Sequence, residues 1–154
     1  MAREINGGLN GQGMRIAIAM SRFNSNVSER LLEGACDALL RNDVAADDIT
    51  CARCPGAWEL PLVCDRLAGG GRYDAVIALG CIIRGDTPHF DYVAAECAKG
   101  VAQAGLKHAV PVIFGVLTTD TVDQALNRAG LKSGNKGFDA ALGAIEMVNL
   151  LRDL

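Results

Sequence analysis

The sequence predicts an α/β domain, a three-layer α/β/α sandwich around a four-stranded parallel sheet. Three observations predict it. Four apolar runs of strand length recur, at residues 14–20, 49–54, 73–83 and 110–118, and each is followed by a polar turn and a segment with helical spacing. The runs are largely continuous in apolar residues, as strands covered on both faces must be. The chain has 154 residues with no linker, internal repeat or low-complexity tract, which is one domain's worth. Right-handed crossovers return successive strands to the same sheet in parallel and place helices on both of its faces. Residues 1–13 read as an N-terminal arm and residues 14–154 as the domain.

The first strand, Met14–Met20, leads into a helix whose apolar residues Val27, Leu31, Ala35 and Leu39 are four apart. Asn26 and Glu29 have the spacing of a capping box at its start. The second strand, Ile49–Cys54, precedes a helix from about Trp58 to Ala68, with Pro61 in its first turn, where no hydrogen bond is lost. Gly69-Gly70-Gly71 ends it. The third strand, Tyr73–Ile83, is followed by the turn Arg84–Thr87 and a helix with apolar positions at Phe90, Val93, Cys97, Val101 and Ala104, closed by Gly105 as its C′ residue. The fourth strand, Val110–Thr118, runs into a short helix near Asp120–Ala129. After the loop Gly130–Gly137, a last amphipathic helix passes through Leu142, Ile145, Val148 and Leu151.

Lys and Arg number 15 against 18 Asp and Glu, a net charge of -3, and no basic run exists, which excludes the footprint of a nucleic-acid binder. The longest apolar stretch, Ala75–Ile83, is about half a membrane span, and the first residues lack a signal-peptide core, so a cytoplasmic protein without membrane contact is expected. Half of the chain is apolar before its 18 glycines are added, more than one small core absorbs, which points to subunit contacts. The six cysteines lie in apolar segments and read as buried free thiols. Cys51 and Cys54 spell CxxC, but on a strand residues three apart face opposite sides, which disfavours a metal or redox pair.

In an open parallel sheet ligands bind beyond the carboxyl ends of the strands. The turns found there are Ser21-Arg-Phe-Asn24, Pro55-Gly-Ala-Trp-Glu59, Arg84-Gly-Asp-Thr-Pro-His89 and Thr118-Thr-Asp120. Phe23 follows a buried strand in a polar turn, so it either stacks on a planar ligand or staples the next helix. Gly56–Glu59 offers small residues, helix-start amides and a carboxylate suited to hydroxyl groups, or else only a first-turn Glu complementing the helix dipole. In Gly85–His89, Thr87 is placed as an N-cap and Pro88 as N1, leaving first-turn amides that form an anion site, or simply a well-capped helix. A histidine such as His89 in a first turn faces the positive end of the dipole, which favours a neutral imidazole able to accept or donate a proton. His108, near the end of the same helix, reads as a satisfied surface histidine.

Five segments in order resemble the 6,7-dimethyl-8-ribityllumazine synthase family over nearly the whole chain. They are Ser21–Asn24, Pro55-Gly-Ala-Trp-Glu-Leu-Pro61, Gly80-Cys-Ile-Ile-Arg-Gly-Asp-Thr-Pro-His-Phe-Asp-Tyr-Val93, Pro111-Val-Ile-Phe-Gly-Val-Leu-Thr-Thr-Asp120 and Asn135-Lys-Gly137. The resemblance implies a flavodoxin-like sheet of order 2-1-3-4, with the N-terminal segment adding a strand to a neighbouring subunit's sheet; Asn6–Gly13, polar and loop-like, suits that role. It implies condensation of 5-amino-6-(D-ribitylamino)uracil with 3,4-dihydroxy-2-butanone 4-phosphate, releasing phosphate and water, with no metal or organic cofactor. By the same resemblance Phe23 stacks on the pyrimidine, Ala57, Trp58 and Glu59 hold the ribityl chain, and the backbone of Cys81, Ile82 and Ile83 reads the uracil edge. Phe114 supplies a second aromatic from a neighbouring subunit. Gly85, Asp86 and Thr87 bind the butanone phosphate with Arg128 and Lys136, and His89 transfers protons.

The resemblance also implies a homopentamer. The short loop Leu131–Gly137 resembles that of members whose pentamers assemble into icosahedral shells, which leaves open riboflavin synthase as a partner. Trp58 fills a position that varies in the family, and Cys81 stands where many members have Thr. An FMN-binding carrier needs a hydroxyl-rich loop after the first strand, and a phospho-receiver needs an acidic cluster there; Ser21-Arg22-Phe23 is neither. The alternative that survives is a catalytically silent shell or a flavin or lumazine carrier, against which stands the joint presence of Phe23, Glu59, His89 and Arg128.

Overall fold

A computed structural model describes residues 1–154. Strands β1 (Ile16–Ser21), β2 (Ile49–Cys54), β3 (Ala75–Ile83) and β4 (Val112–Thr119) form one parallel sheet in the order β2-β1-β3-β4. Helices α1 (Ser25–Arg41), α2 (Leu60–Gly69), α3 (His89–His108), α4 (Val122–Arg128) and α5 (Lys136–Arg152) complete the sandwich. Side chains alternate along each strand, so the sheet has two unlike faces. Ile16, Ile18, Met20, Ile77 and Leu79 pack under α1 and α5, and truncating one of the large residues there costs about 2–5 kcal/mol. The other face presents Ala17, Ala19 and Ala78 to α2 and α3, and small residues let those helices approach closely. Pro61 of α2 lies against Gly100 of α3, and the Leu31 carbonyl of α1 occupies the place a Cβ on Gly137 of α5 would need.

Several expected boundaries move. The capping box at Asn26 and Glu29 does not form: α1 starts at Ser25 behind Asn24, and Glu29 instead pairs with Arg53 of β2. Gly105 does not end α3, which runs to His108 and closes on Ala109 at φ 52, whose N–H donates to the Gly105 carbonyl. His108 does find a partner, lying 3.0 Å from Asp65 of α2. The thiols are not all buried, since Cys51 is exposed on the edge strand β2 and Cys36 is half-buried, while Cys54, Cys64, Cys81 and Cys97 are buried. Cys51 and Cys54 diverge in burial as the strand period requires.

The N-terminal arm is not free of its own domain along its whole length. The Gly7 backbone lies against α5, Asn149 of that helix donates to the carbonyls of Gly8 (2.8 Å) and Asn10 (3.1 Å), and the buried Gly11 donates to the Asn42 carbonyl at 2.7 Å. A polar, loop-like segment looks unfit for packing, but the Asn149 amide of α5 and the Asn42 carbonyl satisfy part of its backbone. No helix is long and apolar enough to cross a membrane.

Candidate active site

The carboxyl ends of β1 and β3 open into a cavity of about 580 Å³, walled by the turn after β2 and the start of α3. Its size is that of a small-molecule site. Beyond β1 the ladder to β2 continues for two residues, with Arg22 donating to the Cys54 carbonyl at 2.8 Å and Phe23 to the Pro55 carbonyl at 3.2 Å. Asn24 then turns the chain at φ 62, a left-handed conformation that Asn tolerates, and its side-chain amide donates to the Cys81 carbonyl at 3.0 Å. That bond replaces the capping of α1 and ties the turn to β3. Phe23 is left 71% exposed on the cavity wall, so it is no staple on α1.

After β2, Gly56 is extended and Ala57–Glu59 form a single 3₁₀ turn closed by the Glu59 N–H on the Gly56 carbonyl at 3.2 Å. Ala57 is buried beneath the cavity, whereas Trp58 is 59% exposed at its rim. The end of β3 supplies Cys81, Ile82 and Ile83. Burial pushes the Cys81 thiol up to about 11, so it is protonated at neutral pH and offers no thiolate.

The third turn brings Gly85, Thr87 and His89 to the same cavity. Thr87 is not the N-cap: Pro88 holds that position and α3 begins at His89, whose N–H lies a long 3.5 Å from the Thr87 hydroxyl. With α3 beginning one residue later than expected, the His89 and Phe90 amides have no helical carbonyl partner, while Asp91 N–H donates to the Pro88 carbonyl at 3.0 Å.

Asp86, Phe114, Arg128 and Lys136 do not line this cavity. Asp86 and Lys136 are exposed, and Phe114 is half-buried on the α3 side of the edge strand β4. Arg128, at the end of α4, donates to the Gln124 carbonyl of its own helix at 3.2 Å. The cavity therefore contains no Lys or Arg, and Glu59 is its one carboxylate.

Asn24, Phe90, Tyr92 and Val93 also line the cavity, a placement not expected from the sequence. Phe90 and Val93 were legible as apolar α3 positions, but periodicity does not distinguish a core face from a cavity wall. The cross-chain bond of Asn24 has no sequence signal.

Residues 13–152 match the sequence model of the family described as 6,7-dimethyl-8-ribityllumazine synthase. A protein of that name from Desulfatibacillum aliphaticivorans is 56% identical over 150 residues, covering 97% of this chain and 97% of its own. The Chlorobaculum parvum protein of the same name is 56% identical over 152 residues, with 99% and 97% covered. That of Chlorobaculum tepidum is 55% identical over 152 residues, with 99% and 98% covered.

Proposed function

The chain belongs to the 6,7-dimethyl-8-ribityllumazine synthase family and is a transferase of riboflavin biosynthesis, and from that premise we propose that the cavity beyond β1 and β3 is its active site. The reaction joins 5-amino-6-(D-ribitylamino)uracil to 3,4-dihydroxy-2-butanone 4-phosphate. The observation that carries the reading is the meeting of Phe23, the Ala57–Glu59 turn, His89 and the α3 start in one cavity.

Phe23 stacks on the pyrimidine, and the backbone of Cys81, Ile82 and Ile83 meets its polar edge. Glu59 accepts hydrogen bonds from ribityl hydroxyls beside Ala57 and Trp58. Gly85 and Thr87, with Asp86 between them, hold the phosphate through backbone amides of the loop that leads into α3. The amine of the pyrimidine adds to the butanone carbonyl and water leaves; phosphate is then eliminated to an enol that tautomerises to a ketone, and the ribitylamino nitrogen adds to that ketone with loss of a second water, closing the second ring. Each step moves a proton, and His89 is the group placed to accept and return it. Holding two substrates together supplies much of the remaining acceleration, so turnover is slow.

A phosphate dianion calls for a guanidinium, and the cavity has none of its own. Arg128, Lys136 and Phe114 lie instead around β4 and the helices that follow it, outside that cavity. A second copy docked head to tail presents them to the cavity, and a head-to-tail contact that closes makes a ring. That ring is a homopentamer, and the short Leu131–Gly137 loop suits further assembly into an icosahedral shell, with riboflavin synthase as the enzyme such a shell holds. The residues before Gly7 are the part of the arm available to join a neighbour's sheet. The protein works in the cytoplasm.

The test follows lumazine absorbance after mixing both substrates with purified protein, with the spontaneous rate subtracted. Acceleration that Arg128→Ala suppresses supports the assignment. Folded, assembled protein that leaves the rate at background overturns it.

A further inference from the structure

Arg84, which follows β3, reaches three elements around the loop that carries the anion site. Its N–H donates to the Thr119 carbonyl at 2.8 Å, extending the β3–β4 ladder by one residue. Its Nε donates to Asp120 Oδ1 at 2.8 Å, and its Nη1 to Asp91 Oδ1 of the first α3 turn at 3.5 Å. The guanidinium carbon stands 4.5 Å from the centre of the Phe90 ring, a cation–π contact on a residue that lines the cavity. Asp120 is fixed in turn, since its N–H donates to the Gln124 side chain at 2.8 Å. Between Arg84 and His89 lie four residues without regular structure, and nothing stands within 4 Å of where a Gly85 Cβ would be. The loop is therefore held at its ends and hardly by its own packing.

We propose that Arg84 is a positioning residue for the condensation: by clamping β4, the first turn of α3 and the Phe90 ring together, it fixes residues 85–89 so that their amides and the His89 imidazole face the phosphate substrate. This rests on the reading of the cavity as the active site. Arg84 does not itself bind the phosphate, because two carboxylates already occupy its fork and it is not a lining residue. Both ion pairs are exposed, so their contribution to global stability is small and variants fold. The Asp120 hydrogen bond and the Asp91 charge hold the Arg84 guanidinium still more firmly protonated than a free arginine.

The experiment compares wild type, Arg84→Ala, Arg84→Lys and Asp120→Asn by steady-state kinetics in each substrate and by hydrogen exchange of the intact protein. Expected for Arg84→Ala and Asp120→Asn alike is a loss of about ten- to a hundredfold in kcat/KM for the butanone phosphate, as loose positioning produces. KM for the pyrimidine stays within about twofold, because Phe23 and the 57–59 turn are anchored elsewhere. Lys, a point charge without the planar fork, restores little. The amides that pin the two ends of the loop, Arg84 on the Thr119 carbonyl and Asp91 on the Pro88 carbonyl, exchange faster in both variants while the core strands are unchanged. Full rescue by Lys together with a gain from Asp120→Asn means direct phosphate contact and overturns the proposal, as do unchanged loop exchange or equal losses for both substrates. Wild-type protein that forms no lumazine above background overturns the active-site reading instead, and the exchange comparison still decides whether Arg84 holds the loop.

Discussion

Around β1 and β3, Phe23, Glu59 and His89 converge on one cavity, whereas around β4 Phe114, Arg128 and Lys136 stand apart from it, with Arg128 bonded to its own helix. In the proposed function the first region recognises flat and hydroxylated groups with parts a single chain brings together. The second holds the fixed positive charge that a phosphate dianion needs. The difference teaches that one chain does not gather every group the proposed reaction calls for, and that in the proposed head-to-tail ring catalysis is a property of the assembly.

The strongest way to break that comparison is complementation. His89→Ala is expected to lower the rate without abolishing it and Arg128→Ala to weaken the phosphate substrate, yet subunits mixed in one ring regain about a quarter of intact sites, because in the proposed ring each site draws on two neighbours. Mixed rings no more active than the separate variants place both residues in one chain's site.

Arg128→Ala alone sharpens the division of labour. It is expected to lower kcat/KM for the butanone phosphate by about 10–150-fold, the loss of a hydrogen bond to a charged group, while pyrimidine affinity stays near wild type. Titration with each substrate separately measures this, and equal weakening of both refutes the assignment.

Phe23→Ala tests the opposite half and should weaken the pyrimidine about tenfold, at the low end of what stacking contributes, and leave phosphate recognition unaffected. Fluorescence-detected binding of the pyrimidine reads it directly. A shift confined to the phosphate substrate contradicts the stacking role.

The smallest effect is expected far from the cavity, where α2 meets the end of α3. His108 hydrogen-bonded to Asp65, with Lys107 nearby, holds the Asp65 carboxyl below its ordinary range. A carboxyl depressed in the folded state contributes stability that is present above its unfolded pKa and is lost as pH falls through the folded one. Asp65→Asn should therefore lower the melting temperature slightly at neutral pH and not at strongly acid pH, with activity unchanged. A large activity loss reveals coupling between the helix ends and the cavity.

Much of this was legible in the chain itself. The continuous apolar runs specified a parallel sheet covered on both sides, and four turns with unusual residues marked its carboxyl edge. Helix ends were less legible: Gly105 looked like a stop, but α3 passed it because helix–sheet packing outweighs the cost of one glycine. Asn26 and Glu29 had capping spacing, but the Asn24 amide and Arg53 across the chain drew the turn and Glu29 into other bonds. The arm looked detached for want of apolar side chains, and the Asn149 amide on α5 held it.

By itself, then, the sequence determined the element order, the two-faced sheet and the chemical types gathered at its edge, because periodicity and turn chemistry are local. Only the tertiary structure decided that Asn24 ties β1 to β3, that Arg84 bridges Asp120 and Asp91, and that Arg128 and Lys136 lie outside the cavity. Those facts depend on distances between residues far apart in the chain, which packing sets and no local pattern encodes.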